Sequence, residues 1–534
     1  MKPVSAHWPD GPVLRRETHY GDRDIFCFAE RPRSLDDMLE SAARTRPDGE
    51  AVVDGSTRIT HSRLRAIGAR VAALFRGHGL SAGDRVGLLL GNGWEFVAVL
   101  AGAAQSGIVT IPLSTRASAP EIAFILDDCG ASLVVCANNL TALLPEGMDR
   151  IVAGPGEDFE AVLGDGADGT APEQSVAGPV AQEDDVAIIL YTSGTTGKPK
   201  GAMLTHLSII HSCMAYRHCL RLTAADRTIV AVPASHVTCL IANVFALLGV
   251  GGTVVMMPRF DADQFLALAT AETMTFTIMV PAMYNLCLLR ADFTKHDLSR
   301  WRIGAFGGAP MPVATIERMA KILPDLDLIQ AYGATETTSP ATIMPAGGQL
   351  ARPASVGAPS PGASIRIVDD AGIDVPAGTA GEVLIAGPMV VPGYWRLAEK
   401  TAESFIDGYW RSGDVGRLDD EGYLSIHDRL KDMINRGGYK VYSAEVENVL
   451  NFHPSVAEVA VVPYADPVLG EKVQAFVYSQ DAGIDAASLA QFCRERLSDY
   501  KVPDRFTFTE KPLPRNANGK LMKAALRAAA NSAS

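Results

Sequence analysis

The chain has 534 residues, and 48 lysines and arginines against 61 aspartates and glutamates give it a formal net charge of −13. At about 150 residues per domain, this length predicts three or four domain-sized pieces with a large buried core. Hydrophobic residues make up 47% of the chain and charged residues 20%, which excludes disorder and fibrous repeats for its bulk. The acidic balance, without any block of basic residues, argues against nucleic acid or an anionic membrane as the main partner.

The cysteine pattern and the start of the chain bear on the cellular compartment. Eight cysteines are scattered along the sequence, and no two form a C-x-x-C pair. Disulfide frameworks and zinc sites use clustered cysteines, so we expect small buried thiols instead. The first residues lack the apolar stretch of a secretory signal peptide. Both observations predict a cytoplasmic protein.

Residues 231–258 contain no charged side chain and are long enough to span a bilayer. However, Asn243 and three glycines interrupt this stretch, and it ends in the β-branched run Thr253–Met257. A helix, a glycine turn and a buried parallel strand give the same hydropathy. We therefore expect no integral membrane association.

The predicted elements alternate between helical and strand periods in the N-terminal half. We expect a helix over 61–76, a strand over 85–90, a helix over 94–105 and a strand over 133–136. This rhythm is typical of α/β folds with largely parallel sheets.

Residues 164–183 are rich in Gly, Ala, Pro and acids and are predicted to form a flexible connection. The pattern then resumes, with a strand over 185–191 and a helix over 205–219. Short strands with turn signals are expected over 363–426. The last hundred or so residues form a smaller α+β piece, with strands at 456–462 and 473–477 and a helix at 487–497.

The most informative segment is residues 191–201, Tyr-Thr-Ser-Gly-Thr-Thr-Gly-Lys-Pro-Lys-Gly, between the strand and the helix just described. Glycines let backbone N–H groups approach an anion, hydroxyls donate to its oxygens, and lysines neutralise it. A Walker A loop would need glycine at Thr192 and a hydroxyl residue at Pro199. The segment predicts a different polyphosphate cradle, with these candidates: Thr192, Ser193, Gly194, Thr195, Thr196, Gly197, Lys198 and Lys200.

Two further loops follow predicted strands, at 302–310 and 328–336. Because ligands gather at the carboxyl ends of strands in α/β sheets, both loops can converge on one site. There Tyr332 is suited to stack on adenine, Thr335 to donate to a phosphate and Glu336 to hold Mg²⁺. Taken alone, each loop is more simply explained as a bare turn.

Later in the chain, Asp414 and Arg429 are suited to bind the hydroxyls of a ribose, although a surface ion pair explains them equally simply. Lys520 follows an Asn-Gly turn near the C-terminus, where an ordinary exposed loop is the simpler explanation.

Together, in their order and spacing from about residue 35 to 525, these segments resemble the adenylate-forming superfamily of acyl-CoA synthetases, peptide-synthetase adenylation domains and luciferases. The resemblance implies a large N-terminal domain, residues 1–430, of parallel-rich sheets layered with helices plus a short-stranded β region. It implies a small mobile α+β domain over 431–534, which rotates about a hinge at Lys431. A carboxylic acid and MgATP would give acyl-AMP and pyrophosphate, and a thiol would then take the acyl group.

The resemblance also implies roles for individual residues. Lys520 would bridge the carboxylate and the α-phosphate, and Mg²⁺ would bind Glu336 beside Thr335. Asp414 and Arg429 would hold the ribose. The adenine would lie against Gly308, Ala309, Tyr332 and Gly333.

His236 would border the acyl site, although a lone histidine is more often a satisfied core residue. The implied acyl wall is small and apolar, and comprises Val237, Thr238, Ala242, Phe306, Gly307 and Ala331. The implied pantetheine tunnel is lined by Gly437, Gly438 and Tyr439.

Several questions stay open from the sequence. With no carrier domain in sight, CoA is the expected thiol, and a separate carrier protein is the alternative. A non-catalytic acyl or nucleotide sensor is a third reading, although the motif residues are intact. The sequence does not separate a fatty from an aryl acid, leaves the oligomeric state open (a homodimer included), and assigns no role to residues 1–33.

Overall fold

The computed structural model describes residues 7–8, 11–154, 159, 181–192, 199–479, 483–515 and 521–532. Most of the predicted linker 164–183, the phosphate-loop residues 193–198 and Lys520 lie outside the described residues. The chain divides into two compact units. The first takes the described residues up to Met311 with 315–365 and 385–410, and the second takes 312–314, 366–384 and those from Arg411 onward. The predicted functional boundary at residue 430 stays a prediction.

The first unit contains two large sheets. A six-stranded sheet has the spatial order Lys200–Thr205, Val186–Thr192, Val109–Pro112, Arg85–Leu89, Leu133–Ala137 and Arg150–Ala153. Only its Lys200–Thr205 edge is antiparallel to its neighbour. A nine-stranded sheet has the order Ala358–Pro359, Thr342–Ile343, Asp327–Tyr332, Ile303–Phe306, Phe276–Met279, Arg227–Val230, Thr253–Met256, Glu50–Asp54 and Thr57–Thr60. Its six middle strands are parallel, so the predicted parallel-rich α/β class is confirmed.

The helices begin where the sequence supplies caps. Ser34, Thr60 and Thr205 each accept a hydrogen bond from a backbone N–H in the first turn of the helix that follows. The described helices are Leu35–Thr45, His61–Gly77, Trp94–Ser106, Ala119–Cys129, His206–Cys219, Ala246–Gly249, Ala262–Ala271, Pro281–Arg290, Val313–Ile322, Ala398–Ser404, Ser443–Asn451, Ala486–Arg494 and Lys523–Ser532.

The uncharged stretch 231–258 has the predicted order. A π-helical segment, Cys239–Phe245, continues into Ala246–Gly249, the chain turns at Gly251 (φ +76°), and the buried strand Thr253–Met256 follows. Within the described parts of the chain, no helix has both the length and the apolar character needed to cross a bilayer.

The N-terminal residues left unassigned from the sequence include an antiparallel hairpin of Leu14–His19 and Arg23–Phe28. It is attached to the residues that lead into the strand Val186–Thr192, because Arg31 bridges Glu17 and Glu183. The hairpin was missed because five of the six residues in its first strand are charged or polar, so the strand shows no apolar alternation.

The second unit contains a smaller α+β layer, as predicted. Its strands are Ile434–Arg436, Tyr439–Val441, Glu458–Asp466, Gly470–Tyr478 and Arg505–Thr509. One face of this sheet buries Val459, Val461 and Val473 in a core that includes residues of the helices Ser443–Asn451 and Ala486–Arg494. The opposite face buries residues such as Val462 with Leu526 of the last helix. The predicted short-stranded region contains Ser364–Val368, Gly381–Ala386, Phe405–Ile406, Tyr409–Leu418 and Leu424–Arg429.

All eight cysteines are free and buried, as the sequence predicts. Burial raises the pKa of every one of these thiols. The thiolate is the reactive form of cysteine, so a raised pKa makes these thiols unreactive. They pack instead as small apolar side chains.

Candidate active site

Two of the predicted loops lie side by side in the first unit. The parallel strands Ile303–Phe306 and Asp327–Tyr332 pair directly, and both loops leave from their carboxyl ends. A Cβ atom at Gly307 would lie 2.5 Å from the carbonyl oxygen of Ala331, so only glycine permits this approach. Gly308 follows with φ +76°, and both it and Ala309 are exposed. The sheet therefore brings the predicted adenine-binding residues together.

Glu336 is a buried carboxylate in the second of these loops, 8% exposed. The hydroxyl of Tyr394 donates a 2.8 Å hydrogen bond to its Oε1. Thr335 precedes it in the short 3₁₀ turn Thr335–Thr337 and is half-buried. Among the described residues, no basic side chain forms an ion pair with Glu336, so its negative charge is not neutralised by a direct contact.

Lys200 supplies positive charge on the same side of the unit. Its ammonium group lies 4.5 Å from the centre of the Tyr394 ring, a cation–π distance. Burial lowers the pKa of Lys200, and the nearby Glu336 charge partly offsets that effect. The Lys200 ammonium group and the Glu336 carboxylate, which both contact Tyr394, therefore attract each other electrostatically.

The structure corrects the expected surroundings of the phosphate loop. The predicted helix over 205–219 is confirmed, but residues 200–205, for which no strand was predicted, form a strand that pairs with Val186–Thr192 and places Lys200 opposite Thr192. The loop 193–198 therefore joins two antiparallel strands rather than a strand and a helix. The helix begins only at His206, where Thr205 caps it.

A small cavity lies between these elements in the first unit. Its wall contains the predicted residues Val237, Thr238, Gly308, Ala331 and Gly333. The wall also contains three residues that the sequence analysis did not name: Tyr216, Ile278 and Ser339. Four predicted acyl-site residues are not part of this wall: His236, Ala242, Phe306 and Gly307.

His236 lies one residue before the cavity wall and is half-buried. Its Nδ1 accepts a 3.3 Å hydrogen bond from the Thr238 backbone N–H. When the ring is neutral its proton is therefore on Nε2, so that Nε2 is the nitrogen able to donate.

Asp414 and Arg429 come together in the second unit. They are opposite each other in antiparallel strands, and Arg429 Nε lies 3.2 Å from Asp414 Oδ1. Asp414 is 6% exposed, whereas the Arg429 side chain is 42% exposed. The Ser412 hydroxyl donates to the carbonyl of Val383 and accepts from the Asp414 N–H, which fixes the backbone here.

The predicted hinge and tunnel residues follow in the same unit. Lys431 is exposed, and its carbonyl accepts a 2.7 Å hydrogen bond from Arg527 of the last helix. Gly437 and Gly438 form the two-residue turn between Ile434–Arg436 and Tyr439–Val441, with φ +59° and +91°. Such turns require left-handed backbone at both positions. Tyr439 is 61% exposed and stacks on Tyr500.

Lys520 is outside the described residues, but the residues that flank its loop are within them. Arg515 and Leu521 form an antiparallel bridge, and the Met522 N–H donates to the Pro514 carbonyl. Leu521 packs on the core cluster that contains Leu513 and the last helix. The loop that carries Lys520 is thus closed by a backbone bridge on the second unit.

Sequence reasoning missed Tyr394, Tyr216 and Ser339. Tyr394 is part of the sequence Pro-Gly-Tyr-Trp, which predicts a turn. Nothing in that sequence indicates that Tyr394 bonds to Glu336, 58 positions away. Tyr216 is an ordinary buried helix residue until Ser339, 123 positions later, is placed beside it. Ser339 lies two residues after the turn Thr335–Thr337, and that proximity in sequence was the one available signal.

Comparison with known proteins agrees with this geometry. Residues 39–395 match the AMP-binding enzyme family, and residues 445–520 match the AMP-binding enzyme C-terminal domain. The long-chain-fatty-acid–CoA ligase FadD13 of Mycobacterium tuberculosis is 34% identical over 92% of this chain and 97% of its own. Feruloyl-CoA synthase of an Amycolatopsis species is 36% identical over 91% of this chain and 96% of its own.

The fold has solved counterparts as well. The crystal structure of the anthranilate CoA ligase AuaEII in complex with anthranoyl-AMP superposes with a TM-score of 0.86 at 27% identity. That match covers 94% of this chain and 98% of AuaEII. With the paired loops, the buried Glu336 and both family domains in order, the chain belongs to the AMP-binding, adenylate-forming enzyme family.

Proposed function

We propose that this chain is an ATP-dependent carboxylic acid–CoA ligase. It joins a fatty or aryl acid to ATP, giving acyl-AMP and pyrophosphate, and then transfers the acyl group to CoA with release of AMP. The observation that carries the proposal is the buried Glu336 carboxylate, which follows the paired strand ends, near a cavity whose wall includes Gly333 and Ser339. Membership in a family whose relatives are named acid–CoA ligases supports it.

The residues present fit a magnesium ion. Glu336 Oε1 accepts from Tyr394, and Oε2 has no partner among the side chains that the structure describes. Mg²⁺ is usually bound by one or two carboxylates together with substrate phosphates, so a single buried carboxylate suits it. Glu336 would hold the ion, which when bound would neutralise the charge of the phosphates.

The chemical step brings two anions together, a carboxylate and the α-phosphate, and positive charge in a dry site lowers that barrier. Lys520 supplies this charge in the first half-reaction, and Lys200 with residues 192–198 holds the outer phosphates. Thr335 donates to a phosphate oxygen. Gly308, Ala309, Tyr332 and Gly333 bind the adenine, and Asp414 and Arg429 bind the ribose.

The second half-reaction needs room for a thiol where the lysine had been. Rotation about Lys431 removes Lys520 from the acyl-AMP and presents the turn of Gly437 and Gly438 to the pantetheine arm. The absence of side chains at these two positions leaves space for an extended chain. His236 and the cavity residues border the acyl group during both steps.

Replacing Lys520 tests the proposal most directly. Lys520→Ala is expected to lower acyl-AMP formation by about 10³-fold, because oriented charge contributes that order of rate, and to leave thioester formation from supplied acyl-AMP within about threefold. Pyrophosphate release and thioester formation are measured separately. Lys295→Ala is the matched control, since Lys295 is an exposed lysine whose side chain is 74% accessible.

Equal losses in both half-reactions of Lys520→Ala would contradict its assignment to the first step. The substrate screen uses wild-type protein, MgATP and CoA with fatty, aryl and amino acids, read by mass spectrometry. Acyl-CoA with AMP supports the ligase. Acyl-AMP without thioester would instead favour a carrier protein as the acceptor, and the absence of AMP with every acid would favour the sensor.

The CoA half of the proposal has its own test. Gly438→Trp is expected to raise the KM for CoA by about tenfold, the effect of roughly 1.4 kcal/mol of lost binding, while pyrophosphate release is unchanged. Because φ at Gly438 is +91°, Gly438→Asn serves as the control, since a small asparagine tolerates left-handed backbone. Unchanged CoA kinetics in the tryptophan variant would remove the tunnel assignment.

A further inference from the structure

The wall of the first-unit cavity is more polar than the sequence suggests. Three of its residues carry hydroxyl groups: Tyr216, Thr238 and Ser339. Two of them are buried, with Tyr216 1% exposed and Ser339 6% exposed. A purely hydrocarbon substrate gains nothing from hydroxyl groups at these positions, and their burial has a desolvation cost.

Tyr216 and Ser339 are bonded to each other, which leaves one hydrogen unused. Their oxygens lie 2.8 Å apart, and either can donate. Burial raises the pKa of Tyr216, so its hydroxyl stays protonated. The pair therefore has two hydroxyl hydrogens, of which their mutual bond uses one. Among the residues that the structure describes, neither side-chain hydroxyl forms a further hydrogen bond.

The backbone adopts an unfavourable conformation to place Ser339. Thr338 and Ser339 have φ of +47° and +87°, a region that non-glycine residues rarely adopt. The turn is also closely packed, since a Cβ atom at Gly333 would lie 1.5 Å from the Ser339 carbonyl oxygen. Retained strain of this kind concentrates at functional sites.

We propose that the acid substrate carries a hydrogen-bonding oxygen, a hydroxyl or keto group, on its carbon skeleton, and that the Tyr216–Ser339 pair at this cavity binds this oxygen. The apolar wall residues Val237, Ile278 and Ala331 contact the skeleton itself. The inference rests on the proposed ligase function and narrows its substrates to oxygenated acids. An unsubstituted acid of the same size leaves the unused hydroxyl hydrogen unpaired in a buried site, which disfavours it.

The test compares acids that differ by one oxygen. Benzoate is paired with its 3- and 4-hydroxy derivatives, cinnamate with the hydroxycinnamates, and alkanoates with hydroxy- and oxoalkanoates of equal length. In at least one pair, wild-type protein is expected to show about tenfold or more higher kcat/KM for the oxygenated acid, the factor expected for one buried hydrogen bond. Acyl-AMP formation is measured by pyrophosphate release.

Two variants remove the hydroxyls with little other change. Tyr216→Phe keeps the ring, and Ser339→Gly suits the positive φ, so both are expected to fold; thermal melting checks this. Each should reduce the preference for the oxygenated acid to about threefold or less. Tyr284→Phe is the control, because it also removes a buried hydroxyl, one bonded to the Ala305 carbonyl and absent from the cavity wall.

The inference is overturned if every pair of acids reacts equally well with wild-type protein, or if both variants keep the full preference. In either case AMP formation from unsubstituted acids would leave the ligase function standing. If no acid of any class gives AMP, the proposed function fails, and the inference fails with it.

Discussion

Glu336 in the first unit and Asp414 in the second are both buried carboxylates, 8% and 6% exposed, yet their partners differ in charge. Glu336 accepts from the neutral hydroxyl of Tyr394, whereas Asp414 faces the guanidinium of Arg429 at 3.2 Å. A buried charge without a counter-ion is costly and creates a strong preference for a cation. The same side-chain chemistry is therefore suited to a metal ion in one unit and to sugar hydroxyls in the other.

Among substitutions that test this difference between the two carboxylates, the one at Glu336 is expected to lower the rate of acyl-AMP formation most. Glu336→Gln keeps the shape and the Tyr394 hydrogen bond but removes the charge. We expect acyl-AMP formation to fall about 100-fold at low Mg²⁺, as for other losses of preorganised charge, and to recover in part as Mg²⁺ is raised. A loss below about threefold at every Mg²⁺ concentration would contradict the metal assignment.

A smaller effect is expected at Asp414. Asp414→Asn weakens the contact with Arg429 and with ribose hydroxyls, so the KM for ATP should rise about tenfold, the cost of roughly one charged hydrogen bond, with little dependence on Mg²⁺. The KM values for ATP and for 2′-deoxy-ATP or 3′-deoxy-ATP are compared in wild type and variant. If the variant still discriminates fully against both deoxynucleotides, the ribose assignment is wrong.

The smallest effect is expected at Tyr394. Tyr394→Phe removes one neutral hydrogen bond from Glu336 and should lower acyl-AMP formation by about fivefold, the factor for roughly 1 kcal/mol, with a raised requirement for Mg²⁺. Tyr409→Phe is the control, because Tyr409 is also buried and its hydroxyl bonds to Ser364 instead. An unaltered Mg²⁺ requirement in Tyr394→Phe would show that the hydroxyl does not position the carboxylate.

Elements that depend on a local sequence pattern could be predicted, whereas elements that depend on pairing with another segment could not. The helix His61–Gly77 was predictable because its apolar side chains recur with the helical period and Leu64, Ile67 and Val71 are buried on one face. The strand Lys200–Thr205 was not, since its antiparallel pairing with residues 186–192, rather than any strict alternation of its own, makes it a strand.

The candidate site divides in the same way. Glu336 and Asp414 are in local motifs that the sequence shows directly. Tyr394, 58 positions from its partner Glu336, and the Tyr216–Ser339 pair, whose members are 123 positions apart, come together only by tertiary folding. The sequence therefore indicates which groups do chemistry, whereas the groups that orient them and shape the cavity require the structure.

The eight buried cysteines have a practical consequence. Since burial raises the pKa of all eight thiols, none is available for rapid modification in the folded protein. A cysteine introduced at an exposed site in each unit would then react selectively with a maleimide dye. The native sequence is thus suited to a single-molecule fluorescence test of the proposed rotation about Lys431 without first removing any natural thiol.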